Sequence, residues 1–134
     1  MSGFLLDTSA LIALRDKEPG AERVATLLIA AYNGKANCHG CFISLMEVLY
    51  RVWKDEGEQA ARSAYRLCQR FPISWLRESE PLLERAAEIK AKFPVSLADA
   101  WIAAAALELD AVLVHKDPEF EKVSGLQQEL LPYK

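Results

Sequence analysis

The 134 residues are 51% apolar and 26% charged, the composition of one globular domain over residues 1–134, and this excludes a chain dominated by disorder. Sixteen Lys and Arg against 19 Asp and Glu give a formal charge of −3, which excludes a protein that holds nucleic acid by bulk positive charge. An acidic, metal-loaded centre with a local basic rim stays open. Residues 3–7 (GFLLD) form a short apolar run ending in an acid, and read as a buried strand. Residues 8–15 read as a short helix. Pro19-Gly20 punctuates, and an Ala/Leu-rich helix follows to the Asn33-Gly34 stop. Residues 38–43 (CHGCFI) suit a second buried strand. Ser44 opens S-x-x-E, a capping box, and predicts a helix through Trp53. Gly57 separates it from a helix over about 58–70. Residues 72–76 (PISWL) suit a strand. A helix over about 79–92 has Leu82, Leu83, Ala86 and Ile89 on one face. Ser96 opens SLADAWIAAAALEL, so apolar that it must be buried. AVLVH at 111–115 is the clearest β-run. Asp117-Pro118 starts a last short helix, with a strand near 127–131. Strands alternating with helices imply a mainly parallel sheet covered on both faces.

The opening MSGFLLDTSALIAL lacks a basic n-region and carries an Asp in its apolar run, so it reads as neither signal peptide nor membrane helix. Three Cys, an odd number, favour reduced thiols and a cytoplasmic location. Cys38 and Cys41 form one C-x-x-C around His39, without the second pair a zinc site needs. They read as small apolar residues of a buried strand.

Four acids stand at element junctions. Asp7 ends the first strand, Glu47 and Asp99 sit in helical first turns, and Asp117 follows AVLVH. Strand C-termini of a parallel sheet share one edge, and ligands bind in the crevice there. Asp7 and Asp117 belong on that edge. Glu47 joins them if 38–43 runs parallel, and Asp99 if its helix starts there. Each acid also has a structural reading: Glu47 and Asp99 complete boxes with Ser44 and Ser96, and Asp7 and Asp117 cap helices. Yet Glu47 and Asp99 have apolar neighbours, and buried carboxylates close together repel. A hard divalent cation, Mg²⁺ or Mn²⁺, relieves that repulsion and equips the site to polarise a phosphoryl oxygen.

LLDTSALIAL, SLMEVLYR, SLADAWIAAAALEL and VLVHKDPEFEKV, in this order and at these separations, resemble the PIN-domain nucleases, nearest to the VapC-type toxins of toxin–antitoxin pairs. The resemblance covers almost the whole chain. It implies a three-layer α/β/α sandwich and RNA cleavage dependent on Mg²⁺, with Mn²⁺ as substitute. It also implies a homodimer and an inhibiting antitoxin protein encoded nearby. By position, Asp7, Glu47, Asp99 and Asp117 match the family's four acids. Asp7 and Asp99 are then direct ligands, and Asp117 is a ligand directly or through water. Glu47 orients the attacking water or binds a second metal. Glu119 matches a further acid, placed behind the ligands or in solvent, and Ser9 a hydroxyl near the metal. One departure stands out. Where many members have Thr or Ser, this chain has His115, either a donor to water or phosphate or a strand-end histidine bonded to backbone.

Arg62, Arg66 and Arg70 recur at i, i+4 and i+8, with Tyr65 and Gln69 close in sequence, Arg51 and Lys54 on the preceding helix, and Lys116 beside Asp117. They form either a rim that contacts RNA phosphates or antitoxin carboxylates, or an ordinary solvated face. Leu27, Leu28, Ile29, Tyr32, Leu49, Tyr50 and Trp53 offer apolar surface for a dimer face or antitoxin groove, or for the core. Competing functions are a stand-alone RNA-processing nuclease, a non-cutting PIN-like module that binds RNA or protein, and an unrelated phosphotransferase. Haloacid-dehalogenase phosphatases want an acid where Ser9 stands, and the chain has no P-loop.

Overall fold

The computed structural model describes residues 3–133, and Met1, Ser2 and Lys134, the ends of the expected 1–134 domain, lie outside the described residues. In chain order the elements are β1 (Gly3–Leu6), α1 (Thr8–Arg15), α2 (Ala21–Tyr32), β2 (Asn37–Cys41), α3 (Phe42–Glu56) and α4 (Glu58–Arg70). They continue with β3 (Ile73–Leu76), α5 (Glu80–Lys92), α6 (Leu97–Leu109), β4 (Val112–His115), a 3₁₀ turn (Pro118–Lys122) and β5 (Gln128–Leu130). The strands lie in the order β3-β2-β1-β4-β5, and every pairing is parallel. The chain winds outward from β1 to β3, then returns to the other side of β1 as β4. Strand order therefore reverses between β1 and β4, the switch point where ligands enter such sheets.

Period-two alternation divides the core. Leu5 and Leu113 point to one face, where they pack with α5 and α6. Leu6 and Val114 point to the other, where they pack with α1, α2, α3 and α4. This is the α/β/α sandwich that the four sequence blocks imply. Helix α6 is buried nearly all round through Ala100, Ala103, Ala104, Ala105 and Ala106, whose small side chains let it lie close against sheet and α5. The α3–α4 corner is Gly57 at φ +97°, a left-handed conformation that glycine adopts without strain. No described helix is long and apolar enough to cross a membrane.

Several local expectations are corrected. Helix α3 starts at Phe42 with Cys41 as N-cap, because β2 runs into it without a linker. Ser44 is therefore inside the first turn and fully buried, its hydroxyl 2.9 Å from Thr8 Oγ1, and it caps nothing. Glu47 falls in the second turn, and the helix ends at Glu56 instead of Trp53. Leu83 is exposed, whereas Leu82, Ala86 and Ile89 are buried.

The C-x-x-C spacing decides its own fate. Three positions apart on a strand, Cys38 and Cys41 face opposite sides of the sheet, and they join different core clusters. They cannot share an ion. Burial pushes the Cys41 and Cys68 thiols up to about 11 and raises Cys38, which keeps all three protonated.

Gly40 has no room for a side chain, since a Cβ there would lie 2.3 Å from the Trp75 ring. Gly40→Ala is expected to destabilise the fold by about 1–3 kcal/mol through overpacking. Trp75→Leu in the same chain should recover part of that loss. Urea unfolding of the single and double variants checks both.

Candidate active site

The turns after β1 and β4 and the starts of α3 and α6 bring acids to the C-terminal edge of the sheet. Asp7 follows β1 and is the N-cap of α1. Its carboxylate is 3% exposed, and Oδ2 accepts both the Ser9 backbone N–H at 3.1 Å and the Ser9 hydroxyl. Ser9 Oγ also accepts the Lys116 N–H at 2.9 Å, so one hydroxyl ties the end of β1 to the turn after β4. Asp99 stands in the first turn of α6, where its N–H donates to Ser96 Oγ at 3.1 Å, the half of the capping box that forms. Asp117 caps the 3₁₀ turn, its Oδ1 accepting the Glu119 N–H at 3.0 Å, with Pro118 following.

Glu47 arrives from α3, buried. Thr8 Oγ1 donates to its Oε1 at 2.7 Å and accepts from Ser44, while Arg51 Nη2 lies 3.5 Å from Oε2. Thr8 was invisible as a site residue in the sequence. Nothing in its spacing from Glu47 signals a contact, which only the docking of α1 against α3 creates.

The acids sense one another. Burial raises the Asp7 carboxyl above its ordinary range, and the Glu47 charge adds to this against the lowering bonds from Ser9. Burial likewise raises Asp99, to about 8, with further contributions from a proton shared with Asp117 and from the charges of Asp7, Asp117 and Glu47. Asp7, Glu47, Asp99 and Asp117 thus share one electrostatic site, as their junction positions suggest. Glu119, expected behind the ligands or in solvent, lies beside them. One ligand atom each of Asp99, Asp117 and Glu119 lies within 4.8 Å of the others. The tight 3₁₀ turn, closed by the Asp117 cap, brings Glu119 back beside Asp117.

Other candidates lie elsewhere. His115 is fully buried, with Nδ1 accepting the Asp117 N–H at 3.0 Å and Nε2 at 2.9 Å from Gln128 Oε1. It has no nitrogen left for water or phosphate, so the backbone-bonded reading holds. The Lys116 ammonium turns away to Glu18 Oε1 (3.3 Å) and the Pro19 carbonyl (2.9 Å), which removes it from the basic rim. Arg62 pairs with Glu58 at 2.8 Å and lies over the Trp53 ring. Arg66 and Arg70 are exposed and, among the described residues, unpaired with any acid. Leu27 and Leu28 are core residues, and Leu49 is half-buried. Ile29, Tyr32, Tyr50 and Trp53 remain exposed, joined by Met46.

A family model for the PIN domain matches residues 4–126. The chain belongs to the PIN-domain family. This PIN domain is similar in fold to the crystal structure of VapBC2 from Rickettsia felis bound to a promoter DNA fragment, with a TM-score of 0.78 at 18% identity, covering 96% of this chain and 98% of that one. It is similar to VapBC-1 from nontypeable Haemophilus influenzae, with a TM-score of 0.73 at 26% identity, covering 95% and 96%. It is also similar to VapC20 from Mycobacterium tuberculosis, described as a sarcin–ricin-loop-cleaving toxin, with a TM-score of 0.74 at 18% identity, covering 97% and 100%. Comparison with curated proteins gives no match.

The donor set of this PIN domain fits a hard divalent ion: carboxylate oxygens only, partly buried, with one oxygen each of Asp99, Asp117 and Glu119 within 4.8 Å of the others. The burial of Asp99, reinforced by the acids beside it, predicts a pH dependence. Between its ordinary value of 3.8 and about 8, Asp99 binds its proton more tightly folded than unfolded, so metal-free stability falls as pH rises through that window. Thermal unfolding in chelator should show a higher Tm at pH 5 than at pH 8. Asp99→Asn should flatten this dependence and raise Tm at pH 8.

Proposed function

We propose that this PIN domain is a divalent-metal-dependent endoribonuclease, using Mg²⁺ with Mn²⁺ as substitute, and the toxin of a toxin–antitoxin pair. The observation that carries the nuclease reading is the convergence of Asp7, Glu47, Asp99, Asp117 and Glu119 at the β1/β4 switch point, with Asp99 pushed to about 8. The pairing with an antitoxin is supported by the likeness to chains from VapBC complexes, and RNA as substrate by the likeness to a sarcin–ricin-loop-cleaving toxin.

Asp7, Asp99 and Asp117 would hold the ion, with Glu119 beside them. Bound there, a divalent cation supplies Lewis-acid polarisation of a phosphoryl oxygen. Ser9 fixes Asp7 Oδ2 by two bonds, so the ligand is set before substrate arrives. Glu47, held through Oε1 by Thr8, orients the attacking water. Arg51, 3.5 Å from Glu47, lies where it can pair with an incoming phosphate. Arg66 and Arg70 extend this basic surface along α4, and the same guanidiniums suit the carboxylates of an antitoxin. Exposed Ile29, Tyr32, Tyr50 and Trp53 supply apolar surface for the antitoxin or for a second copy in a homodimer. Three free, buried thiols support a reducing, cytoplasmic location.

Cleavage of a structured RNA pool by antitoxin-free protein tests the proposal, run with Mg²⁺, Mn²⁺ or chelator. Cutting should require metal and fall roughly 100-fold or more in Asp7→Asn, about 2.7 kcal/mol of barrier. Equal cutting by both proteins, or none with either metal, would count against it. Arg66→Ala should weaken RNA binding and reduce the log–log salt slope by about 0.7, the contribution of one single-strand phosphate contact. An unchanged slope takes α4 out of the substrate path.

A further inference from the structure

The turn that carries Asp117 and Glu119 leaves β4 with successive backbone N–H groups held by side chains. The Lys116 N–H goes to Ser9 Oγ at 2.9 Å. The Asp117 N–H goes to His115 Nδ1 at 3.0 Å. The Glu119 N–H goes to Asp117 Oδ1 at 3.0 Å. Ser9 pins the turn from α1, and His115 pins it from the strand end.

The His115 ring is itself locked. A nitrogen that accepts an N–H carries no proton, so the ring proton sits on Nε2. From there it is donated to Gln128 Oε1 at 2.9 Å, on the neighbouring strand β5. Gln128 is oriented in turn, because its Nε2 donates to the Phe120 carbonyl at 2.8 Å. Phe120 also meets the ring edge-on, with centroids 5.0 Å apart. The chain of contacts starts on β5, passes through the imidazole and ends on the peptide of Asp117. His115 and Phe120, the middle of this chain, are fully buried.

We infer that His115 is a positioning residue for the acid pair Asp117 and Glu119, fixing the peptide that aims both carboxylates at Asp99 through its Nδ1 acceptor. This rests on the reading of Asp99, Asp117 and Glu119 as the carboxylates that hold the ion. His115 acts on ligand geometry, as groups behind a metal ligand do when their loss weakens binding about 10–100-fold.

Two substitutions separate the two ends of the ring. His115→Asn keeps an acceptor where Nδ1 stands and loses the reach to Gln128. His115→Gln keeps a donor where Nε2 stands and loses the acceptor. Both forfeit the packing on Phe120, so both should lower Tm. Mn²⁺ affinity of the folded full-length chain, read by electron paramagnetic resonance, should fall about 10-fold or more in His115→Gln and stay within about threefold of wild type in His115→Asn. A merely structural histidine would lower Tm in both variants and leave their Mn²⁺ affinities equal, which overturns the inference. Hydrogen exchange of the Asp117 amide is the independent readout. It should be slow in wild type and His115→Asn and fast in His115→Gln, and equal rates overturn the inference as well. If wild type fails to bind Mn²⁺, the metal reading falls, and amide exchange alone decides whether His115 holds the turn. Gln128→Ala, a milder change that frees the ring without removing it, should speed the same exchange, and unaltered exchange there counts against the lock.

Discussion

The burial of carboxylates close to one another is the constraint around which this PIN domain is arranged. A parallel sheet delivers Asp7 and Asp117 to one edge, and helices α3 and α6 add Glu47 and Asp99 from the two sides. Left alone, such a cluster disperses its charge by holding protons, and Asp99 does so up to about pH 8. The fold tolerates this because the rest of the domain is packed conventionally. Two apolar cores, one on each face, offset a site that opposes folding.

Rigidity at the acids comes from hydrogen bonds instead of opposite charges. Asp7 is held by Ser9, Glu47 by Thr8 and Asp117 by its own cap on Glu119. Among the described residues, Arg51 is the cation paired with one of these four acids, at 3.5 Å from Glu47. Hydroxyl and amide donors fix orientation without cancelling charge, so the cluster keeps its appetite for a cation. Three of the acids also sit at helix starts, where the backbone field favours the ionised form.

Much of this was legible from residues. Turn punctuation at Pro19-Gly20, Asn33-Gly34 and Gly57 marks the helix ends, and AVLVH marks β4, because glycine, proline and β-branched runs act locally. The acids were legible because each stands at an element junction. What escaped depends on tertiary docking. Ser44 has the signature of a cap, yet β2 leads straight into α3 and leaves that hydroxyl to Thr8. Lys116 stands beside Asp117 in sequence and points away from it, toward the α1–α2 turn. Glu119 reads as an acid behind the ligands or a solvated helix residue, and only the tight 3₁₀ turn brings it beside Asp99 and Asp117.

The division of the core by adjacent strand residues has a consequence for how such a domain can change. Leu5 and Leu6 are neighbours in sequence, but their side chains are separated by the full thickness of the sheet. The same holds for Leu113 and Val114. Repacking one layer therefore meets the other only through strand backbone, and substitutions on opposite faces should combine almost additively. The α5/α6 layer can remain fixed behind the acids while the α1–α4 layer, with its exposed aromatic residues and arginines, diverges. Such a domain is free to vary the exposed surface of α1–α4, apart from the Asp7, Thr8, Ser9 and Glu47 that this layer gives to the acid cluster, while α5 and α6 keep their packing.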